Sequence, residues 1–346
     1  LEDMTDLNAR EVPLDDKAVM SLFASTEALG IKPEDIGGCK LGCLGIPEFG
    51  TDFAMQMLVD TKPKYFSDLV RIAGLSHGTD VWLGNAQTLI EEGRCTISTA
   101  ICTRDDIMVY LMHKGIEPQV SFQIMEHVRK GKGLQIYKDK KSGKEINEEE
   151  VMHQHNVPDW YIGSCKKIKY MFPKAHAAAY VTNAFRIAWF KVHIPKAYYA
   201  AYFSIRADAF DSEIMCHGAE RVKNKMKEIE LAGKAATKKD QDTYGVLEIV
   251  LEMYERGLDF LPIDLYESDA VKFKVEVDGI RPPLNSIPGL GTVAAQGIQE
   301  ARQEGEFMSI DDMKIRAKVG KSTIEMLEKA GCLEGMSQSN QMSLFA

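Results

Sequence analysis

The clearest binding motif in the sequence is the glycine-containing segment of residues 287–291, which reads Ile-Pro-Gly-Leu-Gly. Gly289 and Gly291 let the backbone turn tightly and come close to a partner, on either side of Leu290. Thr292 then opens a predicted helix, whose free N-terminal amides can hold a phosphate oxygen. Contacts of this kind position a duplex without reading its bases. The segment therefore predicts binding to the backbone of double-stranded nucleic acid.

A degenerate copy of this pattern follows at residues 319–324, where Gly320 and Lys321 come after a predicted helix over residues 310–317. Helix-hairpin-helix units usually work as tandem pairs, so the copy favours a DNA-binding module with two hairpins. The alternative is an ordinary helix-turn-helix with a glycine-rich bend, because short motifs also match by chance.

Cations and aromatic residues interleave over residues 166–180, a mixture that suits both triphosphate binding and base stacking. Tyr170 lies within this block. Lys174 and His176 stand at the start of a predicted helix, where an anion is stabilised. Arg104, further upstream, is a candidate for planar, bidentate phosphate contact. The alternative for a single histidine such as His176 is a structural role.

The last residues contain Gln341, Met342, Leu344 and Phe345, after a polar stretch that cannot fold by itself. A glutamine followed by aliphatic and aromatic anchors on a free tail predicts a peptide that binds an apolar pocket of a partner protein. The alternative is a frayed end without function.

The elements that must position these residues are mostly helical between residue 17 and about residue 257, where apolar residues recur every three or four positions. Predicted helices span residues 17–29, 51–60, 65–72, 85–92, 105–113, 118–130, 159–170, 177–192, 212–229 and 242–256. Residues 129–150 and 232–241 are hydrophilic, so we expect both segments to be exposed to solvent. Asp240 and Asp242, at the end of the second segment, are interpreted as a solvated helix start. Residues 271–277 alternate apolar with charged residues and predict a half-buried strand before a tight turn.

Composition narrows the class of protein. The chain has 346 residues, with 42 Lys and Arg against 51 Asp and Glu, so its net charge is −9 and nucleic-acid contacts must come from local basic patches. Seven cysteines without framework spacing favour a reducing compartment, and the cytoplasm is the expected location. No membrane span is predicted.

No metal site is assigned, because Cys39/Cys43 and His153/His155 have no second half at zinc-site spacing. The first residue, Leu1, suggests a fragment.

Four segments together resemble one family: residues 44–51, 74–82, 104–108 and 166–180. The chain is similar, over nearly its whole length, to the C-terminal part of the catalytic alpha subunit of PolC-type bacterial DNA polymerase III. The resemblance implies a mainly α fold with a multi-helix fingers domain, a small β element, a tandem helix-hairpin-helix module and a flexible C-terminal tail. The implied boundaries are fingers over residues 1–257, with 1–45 a candidate connection from the palm, a duplex-binding region over 258–336 with hairpins within 282–336, and a clamp-binding tail over 337–346.

In that family, Arg104, Tyr170, Lys174 and His176 fall where the fingers hold the incoming dNTP. Arg104 and Lys174 would bind phosphates, His176 is a further candidate for this, and Tyr170 would face the base. The resemblance implies a DNA-directed DNA polymerase, a nucleotidyltransferase of DNA replication. Its partners would be primer-template DNA, the sliding clamp (beta subunit) and other replisome subunits. Mg²⁺ would be held by palm aspartates outside this chain, so no catalytic residue is expected here and this chain alone is expected to be inactive.

Two departures from the family pattern stand out. Residues 133–157 are longer and richer in lysine, which puts any alignment inside this stretch in doubt. Met342 replaces the leucine that is commoner in the clamp peptide, a swap of similar volume that should keep the anchor usable. The rival function is a non-enzymatic DNA-binding adaptor of repair or recombination that uses the hairpins and the tail, but it leaves residues 166–180 without a role.

Overall fold

The computed structural model describes residues 1–139 and 143–339. Within them the chain forms 17 α-helices and two small antiparallel sheets, which confirms the mainly α fold with a small β element. The chain divides into two compact units. The first unit comprises Leu1–Glu11, Leu29–Cys39 and Phe190–Ala346, and the second unit comprises Val12–Ala28 and Lys40–Trp189. The domain boundaries at residues 257 and 336 stay predictions.

The helices are numbered along the chain. The first nine are α1 (Glu2–Thr5), α2 (Lys17–Ser21), α3 (Asp52–Thr61), α4 (Phe66–His77), α5 (Gln87–Glu91), α6 (Arg104–His113), α7 (Pro118–Arg129), α8 (Glu148–Gln154) and α9 (Asp159–Lys167). The others among the described residues are α10 (Lys174–His193), α11 (Pro195–Arg206), α12 (Ser212–Met215), α13 (Ala219–Ala232), α14 (Lys238–Glu255), α15 (Thr292–Ala301), α16 (Ile310–Ala317) and α17 (Lys321–Lys329). The strands are β1 (Ile136–Lys138), β2 (Glu145–Asn147), β3 (Lys274–Val275) and β4 (Ile280–Arg281).

The second unit combines capped helices with an aromatic core. Thr51 caps α3, since its hydroxyl accepts a hydrogen bond from the Ala54 amide. Phe23, Phe49 and Phe185 pack together, with 5.1 Å between the ring centroids of Phe23 and Phe49. Aromatic contacts of this geometry add to the free energy gained from burial. They fix the middle of α10, at Phe185, in the core of this unit.

Strands β1 and β2, which lie within the lysine-rich stretch, pair antiparallel, and β2 leads directly into α8. Glu148, the first residue of α8, is fully buried and accepts a hydrogen bond from the Gln135 amide at 2.7 Å. Its other carboxylate oxygen lies 2.7 Å from Nδ1 of His127. Burial raises the pKa of the Glu148 carboxyl, while these hydrogen bonds oppose the shift. The prediction that residues 129–150 are only a solvated segment is wrong at Glu148, because hydrogen bonds compensate its burial.

The first unit has a separate core around its last helices. Leu284, Ile298, Met313 and Leu327 are completely buried there. Gly297 lets α15 approach α16 closely, because a Cβ at this position would lie 2.8 Å from the carbonyl oxygen of Ala317. The result is a compact helical module over residues 284–329.

A buried ionic network joins the end of α10 to α11 and α14. Lys191 and Glu252 are both fully buried, with 2.8 Å between Nζ and Oε1. The Tyr199 hydroxyl donates to the same Glu252 oxygen at 2.6 Å, and Arg256 donates to that hydroxyl at 3.2 Å. Removing the charge of either Lys191 or Glu252 would leave the charge of the other buried without its ion-pair partner.

Three predicted helices differ from the structure. The helix predicted over residues 17–29 ends at Ser21. The helix predicted over residues 159–170 ends at Lys167, because the chain becomes extended to pair Tyr170 with Thr79. The helix predicted over residues 212–229 is interrupted before Gly218, whose φ is +89°. Helices α1, α8 and α11 were not predicted.

The two smaller predictions have different outcomes. Asp240 lies in the first turn of α14, where its carboxylate accepts hydrogen bonds from the amide and hydroxyl of Thr237, so the helix start is confirmed. The strand predicted over residues 271–277 is shorter than expected, because only Lys274 and Val275 pair with β4.

Candidate nucleotide and nucleic-acid sites

Three predicted site residues come together where α6 and α10 begin, in the second unit. Arg104 is the first residue of α6, and its amide donates to the Phe172 carbonyl at 3.2 Å. Lys174 is the first residue of α10, and its amide donates to the Asp105 carboxylate at 2.7 Å. His176 follows in the first turn of α10. Two helix N-termini and their cations therefore meet, an arrangement that stabilises anions.

Acidic side chains of α6 balance these cations. The Asp106 carboxylate lies 3.6 Å from Nζ of Lys174 and 3.9 Å from Arg71, and it accepts a hydrogen bond from the Thr103 amide at 2.8 Å. Asp106 is mostly buried, whereas 48% of the Lys174 side chain is exposed. A phosphate can thus reach the Lys174 ammonium from solvent while Asp106 keeps its capping role.

A stack of rings runs along the start of α10. His77 stacks on Phe172 with 4.8 Å between centroids, Phe172 contacts His176 edge-on at 5.0 Å, and His176 lies 4.8 Å from Tyr180. The His176–Tyr180 contact follows from their spacing of four residues on one helix. Sequence reasoning did not assign Phe172 or Tyr180 a role, although this spacing could have indicated Tyr180.

The first ring of this stack is held by an acid. Nε2 of His77 is hydrogen-bonded to the Glu48 carboxylate, which comes from a loop 29 residues earlier. Glu48 has a φ of +69°, a left-handed conformation that is uncommon for residues other than glycine. Such strain persists only where surrounding contacts hold it and is frequent near functional sites. No sequence pattern indicated this pair.

Tyr170 lies two residues before Phe172 in an extended segment. Its carbonyl accepts a hydrogen bond from the Thr79 amide at 2.9 Å, and the Lys169 amide donates to the Thr79 carbonyl at 3.0 Å. The Tyr170 side chain is 46% exposed. Its ring is therefore available to a planar ligand, close in sequence to the residues that start α10.

The first predicted hairpin precedes α15, in the first unit. Leu290 is buried and its amide donates to the Ile287 carbonyl at 3.0 Å, so the turn is anchored from inside. Gly289 has a φ of +84°, and Gly291 is the N-cap of α15 with open space around its Cα. The hydroxyl of Thr292 lies 3.4 Å from the Asn285 amide nitrogen. The geometry matches the backbone turn and free helix start predicted from sequence.

A cavity of about 580 Å³ lies beside this hairpin within the same unit. Its lining includes Gly289 and Gly291 of the hairpin and the lysines Lys225 and Lys239. The carboxylates of Asp208, Asp211 and Asp240 also line it, so its walls carry charges of both signs. Gly289 and Gly291 are themselves exposed to solvent.

The second hairpin has the same backbone plan. Lys318 has a φ of +54°, Val319 is buried, and Gly320 is the N-cap of α17. The side chain of Lys321 is 88% exposed and makes a 3.5 Å ion pair with Glu325, the kind of surface pair that contributes little to stability. Two glycine-capped helix starts, α15 and α17, therefore belong to one module.

The predicted clamp-binding residues Gln341, Met342, Leu344 and Phe345 lie outside the described residues. Within residues 1–139 and 143–339, no group of three or more His, Cys, Asp or Glu side chains is arranged to hold a metal ion. In that part of the chain, no helix combines the length and the hydropathy that crossing a bilayer requires.

Comparison with known sequences identifies both regions. A family model described as "Bacterial DNA polymerase III alpha subunit finger domain" matches residues 2–150, and one described as "Helix-hairpin-helix motif" matches residues 257–343. The finger model ends before Tyr170, Lys174 and His176, so these residues are covered only by longer matches.

Those longer matches are to proteins named DNA polymerase III PolC-type. The chain is 55% identical to the proteins of Clostridium perfringens and Caldanaerobacter subterraneus, and 54% identical to that of Bacillus subtilis, over 345 residues in each case. All of this chain is covered in each case, but only 23–24% of each relative. The chain thus spans about a quarter of the length of these relatives.

A helical finger region followed by a helix-hairpin-helix region places the chain in the class of bacterial DNA polymerase III alpha subunits. Within this class, the chain belongs to the PolC-type DNA polymerase III family. The resemblance stated from sequence motifs is therefore confirmed.

Proposed function

We propose that this chain is the part of a replicative DNA polymerase that binds the incoming dNTP, the backbone of the primer-template duplex and the sliding clamp. The dNTP would meet Arg104, Lys174 and His176 at the starts of α6 and α10, with Tyr170 facing the base. The observation that carries this assignment is the meeting of the two helix starts through the Arg104 and Lys174 amides. Two helix dipoles and two cations suit a triphosphate.

The duplex would be held by the two hairpins. Gly289, Leu290, Gly291 and Thr292 would form the first contact, and Gly320 and Lys321 the second. Supporting this, both Gly291 and Gly320 have open space around them, so a phosphate can approach the backbone amides closely. Gln341, Met342, Leu344 and Phe345 would bind the beta clamp, as the tail composition predicts.

The reaction of the whole polymerase belongs to the same proposal. The primer 3′ hydroxyl would attack the α-phosphorus of the dNTP, with Mg²⁺ ions bound by carboxylates expected elsewhere in the longer relatives. This chain would then contribute binding and orientation, and we expect no polymerase activity from it alone. Other replisome subunits, as further partners, stay a prediction.

The nucleotide site is tested by Lys174→Gln, with Lys64→Gln as a control that removes a charge from an exposed lysine of the same unit. We expect Lys174→Gln to raise the Kd for dNTP about tenfold, or ~1.4 kcal/mol, because a charge-assisted contact is lost. Isothermal titration calorimetry with dNTP gives the Kd. Equal effects of the two variants would exclude a specific site at Lys174.

A further inference from the structure

A second concentration of positive charge lies in the second unit, on two segments that are far apart in sequence. One is the end of α7 and the turn after it, and the other is the end of α9 and the extended chain after it. We call their six cationic side chains the basic face: Arg129, Lys130, Lys132, Lys166, Lys167 and Lys169. None of these residues has a role in the proposed nucleotide site.

The backbones of the two segments are in direct contact. The Met171 amide donates to the Arg129 carbonyl at 3.3 Å. Gly131 has a φ of +71°, and a Cβ at this position would lie 2.5 Å from the Lys169 carbonyl oxygen. Only glycine permits this approach, since it lacks a Cβ and adopts positive φ without strain. The fold therefore brings like charges together rather than separating them.

The charges of the basic face are only partly neutralised. The Glu126 carboxylate binds both Arg129 and Lys130, and Glu149 binds Lys166 at 2.6 Å. Six cations minus these two carboxylates leave four positive charges, in a chain whose net charge is −9.

The cationic side chains of the basic face differ in whether they have a hydrogen-bond or ion-pair partner. The Lys167 ammonium donates to the Gly84 carbonyl at 2.9 Å. Lys132 and Lys169 are exposed and have no ion-pair partner among the described residues. Holding like charges together costs free energy unless a polyanion neutralises them.

An exposed aromatic ring borders the basic face. Tyr170 follows Lys169 directly and is 46% exposed. The next residue, Met171, is hydrogen-bonded through its amide to the Arg129 carbonyl, so Tyr170 lies between two backbone positions of the basic face. Surfaces that bind single strands combine cations that follow the backbone with aromatic rings on which unpaired bases stack.

We propose that the basic face binds the phosphate backbone of a single-stranded polynucleotide, with an unpaired base stacked on Tyr170. This inference rests on the proposed function in one respect: both use Tyr170, so a base of the strand would take the position that the proposed function gives to the dNTP base. An unpaired base offers the free π-face that Tyr170 needs, whereas bases inside a duplex are already stacked.

The test uses the double variant Lys132→Gln/Lys169→Gln and measures fluorescence anisotropy of a labelled oligo(dT) as salt is varied. Losing two phosphate contacts lowers the slope of log K against log salt by about 1.4, because each contact to a single strand contributes about 0.7. Lys40→Gln/Lys64→Gln is the control, since both lysines are exposed in the same unit and the change in charge is identical. We expect the control slope to equal that of the unmodified chain.

A second variant separates stacking from charge. Tyr170→Ala should weaken oligo(dT) binding about tenfold while leaving the salt slope unchanged, since stacking releases no counterions. Thermal unfolding of each variant, compared with the unmodified chain, shows whether the fold is retained. A salt-slope change in Tyr170→Ala as large as that of the lysine variant would contradict the division of roles.

Three outcomes would overturn the basic face as a strand-binding surface. In the first, the control variant lowers the salt slope as much as Lys132→Gln/Lys169→Gln does. In the second, Lys132→Gln/Lys169→Gln weakens binding to a blunt duplex as much as binding to oligo(dT). In the third, the same variant weakens binding to a single dNTP as much as binding to oligo(dT), which would make the basic face part of the nucleotide site. By contrast, the chain could bind oligo(dT) with the expected salt slopes and yet not bind dNTP. This result would contradict the proposed nucleotide site but would support the basic face as a strand-binding surface.

Discussion

The two glycines of the first hairpin differ in what requires them. Gly289 has a φ of +84°, and a Cβ there would lie 2.9 Å from Cε of Met326. Gly291 has a φ of −72°, and a Cβ would meet nothing within 4 Å. Gly289 is therefore needed by the fold itself, whereas the space beside Gly291 is free for a partner.

Gly289→Ala should lower the free energy of unfolding by about 1–2 kcal/mol, because alanine is strained at this φ and crowds Met326. Gly291→Ser keeps a favourable N-cap and should change stability by less than about 0.5 kcal/mol. If the hairpin contacts a duplex backbone, Gly291→Ser weakens duplex binding. Urea unfolding and anisotropy of a labelled duplex measure the two effects. Unchanged duplex affinity in Gly291→Ser would contradict close approach at this residue.

At the residue scale, residue types and spacing indicated helix starts and cations, whereas the roles of these residues in a nucleotide site came from the family resemblance and stay predictions. Arg104, Lys174 and His176 stand at helix starts that periodicity locates to within a few residues. Glu48 could not be selected, because its partner His77 is 29 residues away and its left-handed φ leaves no signature in the sequence. Long-range contacts of this kind depend on the completed fold.

At the scale of elements, the end of α7 shows how side chains fix a helix terminus. Glu126 binds Arg129 three residues later and Lys130 four residues later. Cations in the last turn also interact favourably with the helix dipole. The hydrogen bond with Arg129, and then that with Lys130, lowers the pKa of the Glu126 carboxyl from 4.5 to about 2, against an opposing effect of burial.

This lowered pKa predicts a loss of stability in acid. A carboxyl whose pKa is lower in the folded state stabilises the fold above its unfolded pKa, and this contribution disappears as pH falls from about 4.5 to about 2. Glu126→Gln should therefore flatten the pH dependence of the unfolding free energy in this range. Urea unfolding at a series of pH values between about 2 and 5 measures this pH dependence, because the two pKa values lie in that range. Glu91→Gln, at an exposed position, should retain the full dependence, and the same flattening there would contradict the assignment.

Predictions of elements succeeded where periodicity was strong and failed where tertiary contacts decide. Helices α7 and α14 were found within a few residues. The hairpin of β1 and β2 was not, since its sequence is dominated by charged residues and its attachment depends on the distant pair of Glu148 with His127. Similarly, α9 ends early because Thr79 provides a pairing partner for Tyr170.

At the scale of the whole molecule, the net charge of −9 conceals local concentrations of positive charge. The basic face and the start of α10 are both cationic, and each gathers residues from segments separated by tens of positions. Composition alone would have argued against a nucleic-acid partner. The order of motifs along the chain, rather than its average charge, indicated the family that the relatives confirm.

The C-terminal tail is expected to act independently of the other sites. Leu344→Ala/Phe345→Ala should abolish binding to the sliding clamp, because the apolar anchors of such a peptide provide most of its affinity. Surface plasmon resonance with immobilised clamp measures this. Ser343→Ala, between the anchors, is the matched control and should bind like the unmodified chain. Retained clamp affinity in the double variant would show that the tail is not the binding peptide.

The hydrogen bond from the Lys174 amide to Asp105 has a consequence for any anion that arrives at α10. In the absence of a ligand, a carboxylate of the protein already satisfies the first amide of this helix. A triphosphate that reaches the same amide must exchange places with Asp105, whereas one that binds only the side chains leaves it undisturbed. Measured affinity at this helix would then be the difference between two anions competing for one donor, which favours ligands with more charge than a single carboxylate.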